Sequence, residues 1–125
     1  MKKLTLFLIA ISLIVVSPAL GGHAIPTSGD YLKYCQESIK VLEGSPADKS
    51  AASSCIGYVE ASIGMHEVFN ASGQGNPFYC IPENGLSTFD AISIWIKYLE
   101  NNPQKLNNSP AITFILAISE AYLCS

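Results

Sequence analysis

The chain has 125 residues, 49% of them hydrophobic and 14% charged, with four cysteines and no arginine. Apart from Lys2 and Lys3, it carries five lysines against ten acidic residues, a net charge of −5. Such an acidic chain is a poor partner for nucleic acid, because phosphate contacts need clustered cations. An acidic surface favours a basic partner through electrostatic steering, but solubility alone is the alternative that we prefer.

The N-terminus has the pattern of a secretory signal peptide. Two lysines precede an apolar run from Leu4 to Val16, which is shorter than the roughly 20 residues of a membrane-spanning helix. Small residues after the run suit cleavage after Gly21 or Ala24. The sequence therefore predicts a signal peptide over residues 1–24 and a single helical domain over 25–125. This domain would be periplasmic, with no membrane attachment once the signal is removed.

The first helix is predicted to follow Thr27, which has the capping-box spacing to Asp30. Gly44 is placed to end it. Its apolar positions recur three and four residues apart: Leu32, Cys35, Ile39 and Leu42.

A second helix is predicted from Pro46 to about Asn70, with Ser45 as its N-cap and an acidic residue three positions later. Its apolar stripe comprises Cys55, Val59, Ser62, His66 and Phe69. Gly57 and Gly64 each weaken a helix, so we expect a closely packed neighbour against them.

Two more helices follow a turn-rich segment. Ser87 has capping-box spacing to Asp90, and Pro103 ends the third helix because the residue before proline avoids helical dihedrals. Trp95 shares its stripe with other large apolar residues and is predicted to be buried. Ser109 starts the fourth helix, which is expected to run to the last cysteine. Its apolar stripe is Ile112, Ile115, Leu116, Ser119 and Tyr122.

The four cysteines, an even number in an exported chain, indicate two disulfides. Residues equidistant from the turn of a helical hairpin face each other. Cys35 and Cys55 are centred on the first turn, and Cys80 and Cys124 on the turn before the fourth helix. The predicted fold is therefore all-α: a small disulfide-stapled bundle of about four helices in two αα-hairpins.

No arrangement of residues in the sequence is typical of catalysis or metal binding. His66-Glu67 resembles the start of a zinc motif, but Asn70 stands where the second histidine is needed. The other histidine, His23, lies in the cleavage region, and paired cysteines supply no thiolate. We expect no enzyme activity, no cofactor and no metal.

Four short segments occur in a familiar order: Cys55–Val59, Tyr79–Glu83, Lys97–Pro103 and Ala121–Cys124. Together they resemble the Rap/Tai immunity protein family, periplasmic proteins that neutralise type VI secretion amidase effectors of competing bacteria. The resemblance implies a small, crosslinked, all-helical domain that is often dimeric, so a homodimer is one expectation. It implies inhibition of a peptidoglycan-cleaving cysteine amidase by occlusion of its active-site cleft.

A loop that enters a cleft favours small flexible residues beside aromatic anchors. The segment from Ser72 to Tyr79 has this composition. We therefore predict partner contacts by Phe78, Tyr79, Asn76 and Glu83. The alternative is that both aromatic residues cap the core beside the neighbouring cysteine. A second candidate loop spans 101–108, where a plain hairpin turn is the alternative.

Two other function classes remain open. Small acid-stress chaperones of the periplasm are also short, helical and disulfide-bonded, and they act by exposing apolar surface at low pH. Two disulfides in about 100 residues argue against such plasticity. A small hydrolase is the weakest alternative, because the sequence offers no nucleophile with an adjacent base.

Overall fold

The computed structural model describes residues 24–125, and the predicted signal peptide falls outside this range except for Ala24. Within it, 66% of the residues are helical and no strand occurs, which confirms the all-α prediction. No helix of this part of the chain is both long and apolar enough to cross a bilayer. The elements are α1 (Ser28–Leu42), α2 (Lys49–Ala71), α3 (Thr88–Asn101), a 3-10 helix (Pro103–Lys105) and α4 (Pro110–Ala121).

Two helices begin at the predicted caps. The Thr27 hydroxyl accepts a hydrogen bond from the Asp30 amide, and the Thr27 amide donates to the Asp30 carboxylate at 2.9 Å. This is a complete capping box. At α3, the Ser87 hydroxyl accepts from the Asp90 amide at 3.0 Å and donates to the Asp90 carboxylate at 2.7 Å. Both predicted starts are confirmed.

The predicted start of α2 is wrong by three residues. The N-cap is Asp48, whose carboxylate accepts from the second and third amides of the helix at 3.0 and 3.1 Å. Its own amide donates to the Glu37 carboxylate of α1 at 2.8 Å. This tertiary contact fixes Asp48 in extended backbone. Ser45 and Pro46 therefore remain in the connection, and the free amides of the first turn are satisfied by Asp48.

The helices form two antiparallel pairs, α1 with α2 and α3 with α4, and a disulfide belongs to each half of the chain. Cys35 is bonded to Cys55 with a Cα–Cα distance of 5.1 Å, and Cys80 to Cys124 at 5.0 Å. Both predicted pairings are confirmed. By loop-closure entropy, the two bridges stabilise the fold by about 3 and about 4 kcal/mol respectively.

Trp95 of α3 is the centre of the core, with none of its surface exposed, as predicted. The rings of Tyr31 in α1 and Tyr58 in α2 lie 5.6 Å away, and Phe114 of α4 meets it edge-on at 5.3 Å. All four helices therefore contribute an aromatic ring to one cluster. The indole nitrogen donates to the hydroxyl of Thr113 at 3.1 Å, so its buried polar group is satisfied.

A buried polar network joins the start of α1 to α4. The hydroxyls of Ser28 and Thr113 are 2.7 Å apart, and both residues are fully buried. The Ser28 amide donates to the Asn108 carbonyl at 3.0 Å, and the Gly29 amide to the Leu106 carbonyl at 2.8 Å. A Cβ at Gly29 would lie only 3.3 Å from that carbonyl oxygen, so this approach favours glycine.

The predicted apolar stripe of α4 is wrong. The residues of α4 that face the core include Thr113, Phe114, Ala117 and Ile118, whereas Ile112 and Leu116 are 55% and 37% exposed. Apolar residues lie on both sides of this helix, so their periodicity alone did not identify the packed face. The helix also ends at Ala121 rather than at the last cysteine, since Cys124 lies beyond the C-cap.

The expectation for the two glycines of α2 is also wrong. A methyl group added at Gly57 or Gly64 would meet no atom within 4 Å, so no neighbour packs closely against either residue. The reason is that α1 and α3 cover other faces of α2. Phe69, in the predicted stripe of α2, is likewise 40% exposed.

Candidate functional site

The four predicted contact residues lie between α2 and α3 and differ in their exposure to solvent. Phe78 is 60% exposed, whereas Tyr79 is 1% exposed and belongs to the core. Asn76 and Glu83 are both exposed. The structure therefore gives Tyr79 the core-capping position that the sequence left as its alternative. Partner contact by Phe78, Asn76 and Glu83 stays a prediction.

Phe78 lies on backbone that is anchored to α4 and to the C-terminus. The Ser119 hydroxyl donates to the Phe78 carbonyl at 2.9 Å, and the Cys80 amide donates to the Tyr122 carbonyl at 3.0 Å. The bond from Cys80 to Cys124 adds a covalent anchor two residues beyond Phe78. The exposed ring is therefore presented by a braced backbone.

A stacked pair anchors the same segment to α2. The rings of His66 and Tyr79 are nearly parallel, with centroids 3.7 Å apart and an interplanar angle of 7°. The Asn70 side-chain amide is 3.4 Å from His66 Nδ1. Neither His66 Nε2 nor the Tyr79 hydroxyl has a hydrogen-bond partner, although both atoms are buried.

The environment shifts the pKa of both rings. Burial lowers the pKa of His66, against smaller opposing effects of the Tyr79 backbone and the Glu67 carboxylate. Burial, with a smaller contribution from Glu67, raises the pKa of Tyr79 to about 12. Both side chains therefore favour their neutral forms at neutral pH.

An apolar groove of about 380 Å³ lies between α2 and α4 and reaches Phe78. Phe69 and Phe78 stack at one part of it, with ring centroids 6.2 Å apart. Met65 on its rim is 68% exposed. The lining residues are Tyr58, Ala61, Ser62, Met65, His66, Phe69, Phe78, Tyr79, Ala111, Phe114 and Ile115.

The family model of the Rap1a immunity proteins matches residues 27–124, almost the whole of the described chain. The chain belongs to this family. No curated protein and no solved structure matches it. The resemblance inferred from four short segments is thus confirmed at the level of the immunity family. Membership indicates an immunity function against an effector protein, and immunity families of this kind are typically not enzymes.

In this Rap1a-family chain, the cysteines serve as crosslinks. All four cysteines are in disulfides, so none of them offers a thiol. Among residues 24–125, no group of three or more His, Cys, Asp or Glu side chains is placed to hold a metal ion. The surface features that distinguish this site are the exposed Phe78 and the groove beside it.

The groove was not foreseen from the sequence, although one signal was present. Ala111 and Ile115 extend the apolar surface of α4 beyond its buried residues, and Ala61, Met65 and Phe69 do the same for α2. A helix that is apolar on more than its packed face leaves apolar surface uncovered. The other candidate loop, residues 101–108, contains the 3-10 helix and binds the start of α1 through Leu106 and Asn108.

Proposed function

We propose that this protein neutralises a secreted peptidoglycan amidase of a type VI secretion system by binding over its active site in the periplasm. Its membership of the Rap1a immunity family supports binding to an effector protein. The observation that carries the proposal is Phe78, a large aromatic ring that is 60% exposed on an anchored loop. With the neighbouring Phe69 and Met65, it forms a contiguous exposed apolar surface, a feature that marks protein–protein interaction sites.

The anchoring of the loop favours tight inhibition. A loop that is already ordered loses less conformational entropy on binding than a flexible one. Phe78 supplies the aromatic anchor, and the exposed Asn76 and Glu83 supply polar contacts at its sides. A blocking protein needs no chemistry of its own, because occupying the cleft is sufficient to stop hydrolysis.

The two disulfides are consistent with a location in the periplasm. Disulfides form and persist in oxidising compartments, and this chain has two of them in about 100 residues. The predicted signal peptide would deliver the domain to the compartment in which an incoming amidase attacks the wall. A homodimer stays a prediction, and the proposed inhibition requires only one folded copy.

The proposal is tested with the mature chain and an amidase effector encoded beside its gene. Calorimetry gives the dissociation constant, and release of soluble muropeptides gives inhibition. Phe78→Ala is expected to raise the dissociation constant about 30-fold or more, the cost of about 2 kcal/mol that defines a hot spot. Its melting temperature should change little, because the Phe78 ring is mostly outside the core.

Phe89→Ala is the matched control. Phe89 is 49% exposed in the first turn of α3 and does not line the groove. Equal effects of the two substitutions would exclude the loop as the contact. A wild-type protein that neither binds nor inhibits the amidase, but suppresses client aggregation at low pH, would replace the proposal by the chaperone alternative.

A further inference from the structure

The outer bridge, between Cys80 and Cys124, is the disulfide that solvent reaches. Both of its cysteines are exposed, whereas in the inner bridge Cys35 is 1% exposed and Cys55 is fully buried. Thiol–disulfide exchange requires a thiolate to reach one sulfur of the bond, so access governs its rate. The core between α1 and α2 blocks this approach to the inner bridge. The folded protein therefore offers a reductant one bridge and shields the other.

The outer bridge lies outside the helices at both of its ends. Cys80 is in the connection between α2 and α3, and Cys124 follows Tyr122, the C-cap of α4. The side chain next to Cys124 is open to water as well, since Leu123 is 78% exposed. A small thiol can therefore reach this bond without the unwinding of a helix.

Opening the outer bridge would leave the rest of the fold in place. The inner bridge stays closed, and the hydrophobic core around Trp95 includes neither of the outer cysteines. What changes is the loop that carries Phe78, because it loses its covalent link to the end of the chain. Hydrogen bonds to the Phe78 carbonyl and from the Cys80 amide then remain as its attachments to that end. Without the covalent link, these bonds can fray together with the C-terminal residues.

The opened cysteines are placed to close again. The Cys80 amide donates to the Tyr122 carbonyl at 3.0 Å, and Tyr122 is only two positions before Cys124. This neighbourhood keeps the two thiols at a high effective concentration after reduction. The chain has four cysteines in total, and the other two are buried in a closed bridge, so they do not compete for the opened thiols. Reduction of the outer bridge should therefore be reversible in the folded protein.

We propose that the outer bridge is a thiol-exchange site for a dithiol reductant, and that its redox state controls how firmly the loop with Phe78 is held. One thiolate of the dithiol attacks a sulfur of the bridge. The sulfur–sulfur bond breaks, a mixed disulfide forms, and the released cysteine thiolate takes up a proton. The second thiol of the reductant then displaces the other cysteine. Two electrons and two protons thereby pass to the bridge, and the reductant leaves as its own disulfide.

The consequence for binding rests on the proposed function. A loop whose bridge is open has to be ordered again when it binds the effector, and this ordering costs conformational entropy. The closed form therefore binds more tightly than the open form. A dithiol in the same compartment would lower the affinity of the protein for its effector without unfolding it.

The chemical part is tested on the folded mature chain, with dithiothreitol as the dithiol. Samples taken over time are alkylated with iodoacetamide and mapped as peptides, which reports the opening of each bridge separately. We expect the outer bridge to open at least about 100-fold faster than the inner bridge, because only the inner one needs a large structural opening. In urea, where both bridges are accessible, the two rates should approach each other.

The binding part uses the same amidase and calorimetry. Protein that is reduced and alkylated only at the outer bridge should have a dissociation constant at least about tenfold higher than the closed form. Cys80→Ser with Cys124→Ser is the control, since it is an open form without alkyl groups, and it should bind equally weakly. Reduced protein that is reoxidised with a small disulfide before alkylation should regain the affinity of the wild type.

The outcomes separate this inference from the proposed function. A single rate for both bridges in the folded protein, or loss of helical circular dichroism as the outer bridge opens, would overturn the exchange site. Selective opening with unchanged affinity would overturn the control of binding, and the immunity function would stand. If the wild-type protein does not bind the amidase, the proposed function fails, whereas selective and reversible opening would still establish the exchange site.

Discussion

The two disulfides have nearly the same Cα–Cα distance but lie in opposite environments. Cys35 and Cys55 are 1% and 0% exposed and belong to the hydrophobic core between α1 and α2. Cys80 and Cys124 are both exposed, and each lies outside a helix. The inner bridge therefore joins two helices that already pack on each other. The outer bridge joins a loop to the C-terminal tail, beside the hydrogen bond from the Cys80 amide to the Tyr122 carbonyl.

This difference shows that loop-closure entropy alone does not account for the contribution of each bridge to stability and binding. The entropic contribution grows with the enclosed length, 20 positions for the inner bridge and 44 for the outer one. Yet the inner bridge also fills core volume, whereas the outer bridge fixes the backbone that presents Phe78. We therefore expect the inner bridge to determine global stability and the outer bridge to determine binding.

Removing each bridge in turn tests this division of roles. Among the predictions made here for stability, these double substitutions should have the largest effects. Cys35→Ala with Cys55→Ala should lower the free energy of unfolding by about 4–5 kcal/mol, since buried sulfur is lost along with the crosslink. Cys80→Ala with Cys124→Ala should lower it by about 4 kcal/mol at most. Urea denaturation measures both, and amidase binding is measured on the folded fraction.

The decisive result is the binding of the folded fraction. It should be near wild type without the inner bridge and at least about tenfold weaker without the outer one, because a loosened loop must be ordered again on binding. Equal affinity of the two double variants would remove the distinction between the bridges.

A smaller effect concerns the stacked pair beside the outer bridge. The pKa of His66 is lowered in the folded protein, so folding favours the neutral ring. Its contribution is complete above the unfolded pKa of about 6.5 and is lost as the pH falls through the lower folded pKa. His66→Phe keeps an aromatic stack and should flatten the loss of stability just below pH 6.5. Denaturation curves between pH 4.5 and 7.5 provide the measurement.

Asp30→Asn is the control for acid effects of other groups, because hydrogen bonds from Thr27 lower the pKa of Asp30 and its contribution disappears at lower pH. It should leave the change near pH 6 intact. Tyr79 acts at the alkaline end: its pKa is raised to about 12, so its contribution is lost as the pH rises from about 10 towards that value. If the stability of His66→Phe fell below pH 6.5 as steeply as that of the wild type, the loss could not be assigned to His66.

The smallest effect concerns the turn beside the inner bridge. Asp48→Ala should cost about 1 kcal/mol, because its carboxylate caps two amides of α2. Ser45→Ala should cost almost nothing, since Ser45 is not the cap. Thermal unfolding of the two variants measures the difference. A larger loss of stability for Ser45→Ala than for Asp48→Ala would support Ser45 as the N-cap of α2, as predicted from the sequence.

Features set by local sequence were predictable. Thr27 and Ser87 cap their helices through residues three positions away, and such short-range chemistry is visible in the sequence. The cysteine pairs followed from their symmetric positions about the turns. Trp95 was identified as a core residue because its helix has one apolar face, flanked by polar positions.

Features set by tertiary contact were not predictable. Asp48 became the cap because Glu37 of another helix binds its amide, a contact between residues 11 positions apart. The packed side of α4 was missed because α4 is apolar on both sides, and only the position of α3 decides which side is covered. The groove has the same origin, since its rim includes apolar residues such as Met65 and Phe69 that no helix covers. Phe78 and Tyr79 are adjacent aromatic residues, and the anchored backbone directs one ring to solvent and the other into the core.

The contact between Ser28 and Thr113 joins residues that are 85 positions apart, so the two must meet across almost the whole described chain. A chain synthesised from its N-terminus contains the residues of α1 and α2 and the cysteines of the first bridge long before Thr113 is added. Each cysteine can pair with the next one to emerge, so native connectivity requires no reshuffling of earlier bonds. The first turn of α1 nevertheless depends on the end of the chain, because its amides bind the carbonyls of Leu106 and Asn108 and Ser28 is buried against Thr113 of α4. We therefore expect truncation of α4 to destabilise the start of α1 as well.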